Sequence, residues 1–428
     1  MSAAIQSGNA SWAGELIRRY DRTKLFEPLE RSDTPVWNMF QEADDVEPRG
    51  AGLYFRIVTN SAHRVGTPAE TGDIPGGGTR TTLQGSVTGV QVASSFEISE
   101  KAINAGKGDG SFSGDSLHDA IVEATKNLYS HIERLLVVSH GTGKLGEVQT
   151  TTDTLTTVVM ALPQGVFNIK AGMYLDFTDT DTGTVQVTGL IVSDVNFATR
   201  TLTFTIATTL TAGWCAYISG YFGSAPNGIR GLVDDATYLT SPHGLSRVTY
   251  PRMNAVVDSN SGTTRPYKEK VLRKVIHRLG HETESIPTVL LCNTGVISEH
   301  LETTIPDRQY QVSGKQVPNY GIGYDGGALF FQYENNKIPF KISRDVPARE
   351  LFALNMKTFR KHTLRKVDWM PGVDGPLMPT PSGSNSTYKF TYLAALMGDL
   401  NISIRKPPAN AAIRDLRDEE LAGDAASV

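Results

Sequence analysis

The sequence predicts an α+β fold that is divided into more than one structural unit. The chain has 428 residues, which is more than a single hydrophobic core usually holds. Its 41 Gly and 21 Pro are spread along the chain, and this favours many turns and short strands over a helical bundle. One long amphipathic helix pattern, a threonine-rich β segment and a later stretch of mixed helices and strands complete the prediction.

The overall charge and the cysteine content limit the possible partners and compartments. The formal net charge is −4 and no dense basic stripe occurs, so any contact with DNA should be loose and local. The start of the chain lacks the pattern of a signal peptide, and no apolar run approaches the roughly 20 residues that span a bilayer. We expect the two cysteines, Cys215 and Cys292, to be reduced packing residues of a protein made in a cytoplasm.

Residues 1–50 are predicted to be an extended arm. A short amphipathic helix is expected at Trp12–Leu25, and several prolines follow it. The arm alone has too little apolar surface to offset the entropy of ordering it, so it should lie along something else. Its aromatic residues Trp12, Trp37 and Phe40 are candidate anchors on a neighbouring subunit. Packing of the same residues in the chain's own core is an equally weighted alternative.

Residues 51–100 are predicted to form a long β-hairpin. Leu53–Thr59 and Val87–Ile98 are rich in β-forming residues, and the segment between them is polar and rich in Gly and Pro. Limbs of ~20 residues would reach roughly 65 Å. Because an isolated two-stranded ribbon is only marginally stable, we expect it to lie on a neighbouring molecule. The candidate contact residues on this ribbon are Arg56, His63, Arg64, Glu70, Asp73 and Arg80.

Residues 101–143 carry the clearest helix of the sequence, and a β module is predicted after it. Apolar residues recur at steps of three or four between residues 113 and 140 and form a continuous stripe. Residues 144–224 then hold eighteen Thr among 81 residues, with few Lys or Arg. This composition predicts a compact all-β domain of short antiparallel strands, inserted into the rest of the chain.

Residues 225–345 and 346–428 are predicted to be mixed α/β. A helix is expected at Arg265–Leu279, with Pro266 in its first turn and Gly280 as its stop. A short helix is expected near Val296–Glu302. The expected strands are Thr288–Cys292, Ala328–Tyr333, Ile338–Ser343, Leu351–Lys357, Thr363–Trp369, Tyr388–Leu396 and Asn401–Arg405.

A search for catalytic, metal and cofactor sites finds only incomplete motifs. GTGKLG at 141–146 lacks the first glycine and the Ser/Thr of a phosphate loop. His277 and His281 have a spacing that can bind zinc, but the expected helix end at Gly280 separates them, which favours a surface pair. DTDTG at 179–183 resembles the start of a calcium loop without its later ligands, which favours a polar turn. We expect no catalytic residue, no metal and no cofactor.

Three local stretches resemble segments of tailed-bacteriophage major capsid proteins. They are PNGIRGLVDD at Pro226–Asp235, ENNKIPFKISRDVPARELFALN at Glu334–Asn355 and LMGDLNISIRKPPANAAIRDL at Leu396–Leu416. The order of the parts is also similar to that family: an arm, a long hairpin, a long helix, a mixed core and closing strands. The resemblance covers most of the chain outside residues 144–224 and rests mainly on this order.

The resemblance implies the phage major capsid fold. Its parts would be an N-terminal arm, an extended loop at 51–100, a spine helix in a peripheral domain at 101–143, an axial domain at 225–345, and return strands with a tail at 346–428. It implies a structural protein without enzymatic activity that assembles with itself, as hexamers and pentamers, into the icosahedral head of a virion in the host cytoplasm. The other partners that it implies are a portal protein, a scaffolding protein, a possible decoration protein and packaged double-stranded DNA, with no membrane.

The chain departs from the family in two respects, and two alternatives stay open. Residues 144–224 are an addition to the smallest members, and their role is open. Some members join subunits through an isopeptide bond from a loop lysine, but no lysine occurs here between Lys24 and Lys101. We therefore predict a shell held without covalent bonds, unless Lys101 is used. The alternatives are a cellular nanocompartment (encapsulin-like) shell with cargo enzymes and a phage tail or adhesion β protein.

Overall fold

The computed structural model describes most of the chain after residue 35. The described residues are 36–43, 48–49, 52–60, 65–68, 70–73, 76, 78–101, 116–166, 168–299, 320–325, 328–334, 336–370, 377–381 and 388–418. They belong to two compact units, one within 1–40, 89–136 and 362–401, and the other within 41–88, 137–361 and 402–428. The helix expected at Trp12–Leu25 lies outside the described residues. None of the described helices combines the length and the apolar character needed to cross a membrane.

Within the described residues, three α-helices have defined bounds, and they are α1 (Ser116–Val138), α2 (Ile229–Leu232) and α3 (Glu269–Thr283). Helix α1 confirms the long helix predicted from the apolar stripe, and Leu128 and Ile132 of that stripe are buried. Residues 294–299 are also helical, where a short helix was expected.

Helix α3 begins and ends later than expected. It starts one turn late because Arg265 is held outside the helix, where its backbone N–H donates to the Asp415 carbonyl at 2.8 Å. The predicted stop at Gly280 is wrong, since the helix continues to Thr283 and ends at Glu284, which has a left-handed conformation (φ 53°). Glycine is tolerated inside a helix at a cost of about 1 kcal/mol, which the buried face of α3 outweighs.

Twenty strands are described, numbered in chain order. The first ten are β1 (Pro48–Arg49), β2 (Gly52–Asn60), β3 (Thr81–Thr88), β4 (Val90–Ser99), β5 (Gly146–Glu147), β6 (Thr152–Val159), β7 (Tyr174–Thr178), β8 (Val185–Asn196), β9 (Thr201–Leu210) and β10 (Cys215–Ile218). The others are β11 (Val256–Asp258), β12 (Val289–Cys292), β13 (Tyr320–Asp325), β14 (Ala328–Tyr333), β15 (Asn336–Ile342), β16 (Leu351–Leu354), β17 (Phe359–Trp369), β18 (Leu377–Pro381), β19 (Tyr388–Ile404) and β20 (Ala411–Ile413).

The hairpin is present, but its second limb is not the expected one. Strand β2 pairs antiparallel with β3, and β1 pairs with β2. The expected limb Val87–Ile98 is wrong for most of its length, because β4 leaves the hairpin and pairs along all ten of its residues with β19. Gly89 separates the two strands, and a Cβ at that position would lie 2.1 Å from an Asp399 carboxylate oxygen. The paired limbs are thus much shorter than ~20 residues.

The six strands between residues 146 and 218 form a sheet of their own, in the order β5-β10-β7-β8-β9-β6, with every pair antiparallel. A bridge between Val148 and Met160 and a 2.6 Å hydrogen bond from the Ala161 amide to the Glu147 carbonyl close this sheet into a barrel. The barrel encloses its own apolar core. These strands lie within residues 144–224, from which an all-β module was predicted.

The chain enters and leaves the barrel at adjacent points. His140 and Asn227 form an antiparallel bridge. The Gly228 amide donates to the Ser139 carbonyl at 2.9 Å, so the segment before the barrel is hydrogen-bonded to the segment after it. This arrangement is what an inserted domain requires, and inserted status stays a prediction.

A seven-stranded sheet follows, in the order β11-β20-β16-β12-β15-β14-β13. The pairs β11–β20 and β12–β15 are parallel, and the remaining pairs are antiparallel. Helix α3 packs Leu272, Ile276 and Leu279 into one core with Leu290 and Leu351 of the sheet. Strands from both sides of residue 345 therefore build one core.

The other compact unit contains α1 and a four-stranded sheet in which β4, β17 and β18 all pair with β19. The two strands expected after residue 387 are a single long strand, β19. The buried Glu133 carboxylate of α1 accepts the backbone N–H groups of Val36 at 2.8 Å and of Trp37 at 2.9 Å. The described end of the predicted arm is thereby attached to its own chain.

Candidate assembly site

A buried carboxylate, Asp234, organises the segment that follows the barrel. It is 0% exposed, and it accepts hydrogen bonds from the Arg414 guanidinium at 2.7 Å, from Arg247 at 3.2 Å, and from the Tyr238 and Leu239 amides at 2.7 and 3.1 Å. Burial alone would raise the pKa of the Asp234 carboxyl, but the bonds from Arg414 and the Tyr238 amide hold that pKa below its usual range. The carboxylate is therefore ionised at neutral pH.

Arg247 is bound through its complete guanidinium group. The side chain is 1% exposed, and it donates one hydrogen bond to Asp234 and four to backbone carbonyls, which uses all of its five N–H groups. Two of these carbonyls, Gly231 and Leu232, lie at the end of helix α2. Burial lowers the pKa of Arg247 to about 10, so it remains charged at neutral pH and stabilises the helix C-terminus.

A second buried ion pair lies beside the first. The Arg230 guanidinium donates to both oxygens of Glu350 at 2.8 and 3.1 Å, and each side chain is 3% exposed. The guanidinium carbons of Arg230 and Arg414 lie 4.1 and 4.5 Å from the centroid of the Tyr238 ring. The ring thus joins the two ion pairs through cation–π contacts.

These ion pairs bring together the three stretches on which the family resemblance rests. Arg230 and Asp234 belong to the first stretch, Glu350 to the second and Arg414 to the third. Sequence reasoning quoted all three stretches but singled out none of these residues. Charged residues inside otherwise apolar runs, as in IRGLVDD, are the signal that could have identified them.

The barrel is attached to this network through His140 and Asp181. The His140 Nε2 contacts one oxygen of Asp181, while the other oxygen accepts from Thr142 at 2.9 Å and from the Tyr217 hydroxyl at 2.6 Å. The His140 ring lies 6.0 Å from the Tyr238 ring, centroid to centroid. Partial burial would raise the pKa of Asp181, but the bonds from His140 and Tyr217 hold it well below its usual range.

The incomplete metal and phosphate motifs have structural roles. The Asp179 carboxylate accepts hydrogen bonds from the Thr180 and Thr184 amides at 2.8 Å each, and this confirms the polar turn. Asp181 of the same run bonds instead to His140, Thr142 and Tyr217. Lys144 of GTGKLG pairs with Glu147 at 2.9 Å. Within the described part of the chain, no three His, Cys, Asp or Glu side chains converge as metal ligands would.

The histidine pair and the cysteines are placed as follows. His277 and His281 both lie in α3, contrary to the expected helix end between them, and His277 contacts the Tyr333 hydroxyl at 3.1 Å. Cys215 and Cys292 are buried free thiols, as expected, and burial raises the pKa of both.

The predicted contact residues of the arm and the hairpin fall into three groups. Trp37 and Phe40 are 4% and 5% exposed within this chain, so packing in its own core, the second of the two alternatives, accounts for them. Arg56, Glu70, Asp73 and Arg80 are exposed on the hairpin. Trp12, His63 and Arg64 lie outside the described residues. The exposed hairpin charges therefore remain candidates for contact with another subunit.

The fold is similar to that of a solved phage capsid chain. No family model matches the sequence, and no curated protein matches it. A capsid chain of cyanophage A-1(L) aligns over 90% of this chain and 93% of its own, with 12% identity and a TM-score of 0.51.

Two further structures align at lower TM-scores. The encapsulin SrpI of Synechococcus elongatus aligns over 90% of this chain and 89% of its own, with 10% identity and a TM-score of 0.43. The capsid of Myoviridae phage XM1 aligns over 90% of this chain and 92% of its own, with 8% identity and a TM-score of 0.42. Of these three, only the cyanophage chain has a TM-score that indicates a shared fold, and the fold is all that its 12% identity shows.

Proposed function

We propose that this chain, which has the fold of a tailed-phage capsid protein, is the major structural subunit of an icosahedral phage head. The observation that carries the proposal is the alignment with the cyanophage A-1(L) capsid chain over 90% of this chain and 93% of that one. The same assignment follows from the order of the parts in the sequence. The function is structural, and the work of the molecule is done by contacts between subunits.

The proposed partners follow from this function. The subunit would bind copies of itself in hexamers and pentamers, and it would meet a portal protein, a scaffolding protein and a decoration protein during assembly in the host cytoplasm. The net charge of −4 fits loose contact with the enclosed double-stranded DNA. The barrel provides a separate surface on which a decoration protein could bind.

The hairpin is the part whose exposure supports contact between subunits. Beyond the paired limbs β2 and β3, its charged residues Glu70, Asp73 and Arg80 are exposed. Each exposed ion pair contributes only about 0–1 kcal/mol. A closed symmetric shell repeats every contact in all of its subunits, so weak contacts accumulate to a stable particle.

The test is electron microscopy of the purified protein and of a hairpin variant. The wild type should form closed shells or capsomers, whereas fibres or trimers would contradict the proposal. Deletion of residues 65–79 spares every paired residue of β2 and β3, and it should give a folded subunit that forms no stable shell. Replacement of residues 197–199, an exposed barrel turn, by Gly-Ser-Gly is the control and should leave assembly intact.

The contents of the shell test the second half of the proposal. Particles isolated from phage-producing cells should contain double-stranded DNA. Shells that enclose a protein cargo instead would show that the chain forms a nanocompartment, which would leave shell formation intact and contradict the virion assignment.

A further inference from the structure

The solvent-facing side of helix α3 is strongly basic. Six residues of α3 are exposed, and five of them are Lys, Arg or His: Lys270, Lys274, His277, Arg278, His281 and Glu282. The one carboxylate among the six, Glu282, is paired with Arg278 at 2.7 Å. The helix as a whole contains four Lys or Arg and two Glu, although the chain has a formal net charge of −4. Positive charge is thus concentrated on this helix.

Four of these residues form a single line along the helix, which we call the basic stripe. Lys270, Lys274, His277 and His281 recur at steps of four, three and four residues, so they lie on one side of α3. At 1.5 Å of rise per residue, the stripe is roughly 17 Å long. One strand of B-DNA presents a phosphate about every 3.4 Å along the duplex axis, so the stripe can follow several successive phosphates.

Packing of the opposite face of α3 holds the basic stripe toward solvent. Leu272, Ile276 and Leu279 are buried in the core that α3 shares with the seven-stranded sheet. Within the stripe, His277 Nδ1 contacts the Tyr333 hydroxyl at 3.1 Å, and the two ring centroids lie 5.3 Å apart. The stripe is therefore attached to a rigid support, and a partner can bind it without first ordering the backbone.

The carboxylates of the same unit do not neutralise the basic stripe. The Lys274 side chain is 73% exposed, and its ammonium lies 3.2 Å from Asp258, a carboxylate that Arg265 also binds at 2.6 Å. One negative charge is thus shared between two cations. Lys270 forms no ion pair with any residue that the structure describes. Both lysines therefore have charge available for a further partner.

The exposed residues of α3 suit a phosphate backbone better than they suit a protein. Protein interfaces are centred on buried aromatic or aliphatic anchors. None of the six exposed residues of α3 is aliphatic, and none is Phe, Tyr or Trp. Contacts with phosphates require only cations and hydrogen-bond donors, which the basic stripe provides. Charge complementarity without an apolar anchor therefore favours a nucleic acid as the partner.

We propose that the basic stripe binds the phosphate backbone of double-stranded DNA without sequence preference. The ammonium groups of Lys270 and Lys274 pair with phosphate oxygens, and the imidazoles of His277 and His281 donate hydrogen bonds to them. The inference rests on the proposed function, since a phage head encloses DNA, and it names the surface that makes the loose contact. In an assembled head, the exposed side of α3 faces the interior.

Binding of a fluorescently labelled DNA duplex to the unassembled full-length protein tests the inference. The measurement uses protein concentrations at which electron microscopy shows no shells, and it is repeated over a series of salt concentrations. Lys270→Gln combined with Lys274→Gln should weaken binding about tenfold at low salt and reduce the slope of log K against log salt by about 2. Two duplexes of unrelated sequence should bind alike, because phosphate contacts carry no sequence information.

Two matched variants control for charge and for location. Lys270→Arg with Lys274→Arg keeps both charges and should bind DNA like the wild type. Lys126→Gln with Lys341→Gln removes the same number of exposed lysines outside the stripe and should leave the salt slope unchanged. Lys341 follows Phe340, which packs in the core under α3, so it lies on the opposite face of the sheet. Thermal unfolding checks that every variant is folded.

The outcomes separate this inference from the proposed function. A wild type that forms shells, but whose free subunits bind no duplex or bind it as tightly after both Gln substitutions, would overturn DNA binding by the stripe and leave the shell function intact. Folded Lys270→Gln, Lys274→Gln protein that forms no shells would show that the stripe is a contact between subunits, which also overturns the inference. A wild type that forms no shell under any condition would contradict the function itself, whatever its affinity for DNA.

Discussion

The Arg414 guanidinium donates to the Asp234 carboxylate at 2.7 Å, although the two residues are 180 positions apart in the sequence. Asp234 follows α2, and Arg414 follows the last strand, β20. The contact therefore joins the first segment after the barrel to the closing segment of the chain. Because both side chains are buried, the loss of either charge alone should strongly destabilise the unit.

Asp234→Asn should destabilise the subunit by about 3–5 kcal/mol, because it leaves the buried guanidinium groups of Arg247 and Arg414 without their shared counter-charge. Folded domains have a total stability of about 5–15 kcal/mol, so the variant should unfold at a much lower urea concentration. Asp235→Asn is the matched control: its side chain is 44% exposed and 3.7 Å from Arg414, and the loss should be below about 1 kcal/mol. Equal losses for the two variants would contradict this assignment.

The stability that Asp181 contributes should depend on pH. Its folded-state pKa lies below the ordinary value of 3.8, so the unfolded state binds the proton more tightly. The contribution is therefore complete well above pH 3.8 and is lost as the pH falls below that value. Urea unfolding should show Asp181→Asn less stable than the wild type at neutral pH, with a difference that shrinks in acid.

Tyr217→Phe keeps the ring and removes one of the two hydrogen bonds that lower the pKa of Asp181. This variant should lose less stability than Asp181→Asn at neutral pH. Its loss of stability should also become smaller in acid. A stability difference between Asp181→Asn and wild type that is constant across the acid range would contradict the assignment.

The barrel should be removable. His140 is bridged to Asn227, and the Gly223 amide donates to the Thr142 carbonyl at 3.0 Å, so a short Gly-Ser linker can replace residues 144–222. The remaining chain should stay soluble and show a cooperative thermal transition. Some loss of stability is expected, because His140 loses its contact with Asp181. A wholly insoluble product would show that the barrel core is needed by the rest of the fold.

Mature particles should separate into single subunits on a denaturing gel. No lysine occurs between residues 25 and 100, so the hairpin cannot supply the amine of an isopeptide bond. Lys101, just after β4, is exposed and is the first lysine that follows the hairpin in the sequence. A covalent ladder would contradict the prediction, and its loss in Lys101→Arg would identify the donor.

Local patterns predicted the elements whose partners are close in sequence. The stripe through Leu128 and Ile132 located α1, and the alternation of apolar residues located the barrel strands. The prediction of the second hairpin limb failed because the true partner of that segment is distant in the sequence. Strand β4 pairs with β19, about 300 residues later, and the pleated pattern of a strand does not identify its partner.

The buried network was missed for a related reason. Asp234, Arg247 and Arg414 look like ordinary surface charges in a sequence, and only the folded chain places them together. The helix end at Gly280 was predicted from intrinsic propensity, which tertiary packing of α3 overrides. Asp181 was considered only as a metal ligand, because its partners His140 and Tyr217 lie on other segments.

The hydrogen-bonded junction at Ser139 and Gly228 also has a genetic meaning. A coding segment for any domain whose two ends lie close together could be exchanged at this point with the rest of the protein unchanged. The same property makes the junction a position at which a foreign domain could be carried once on every copy of the chain.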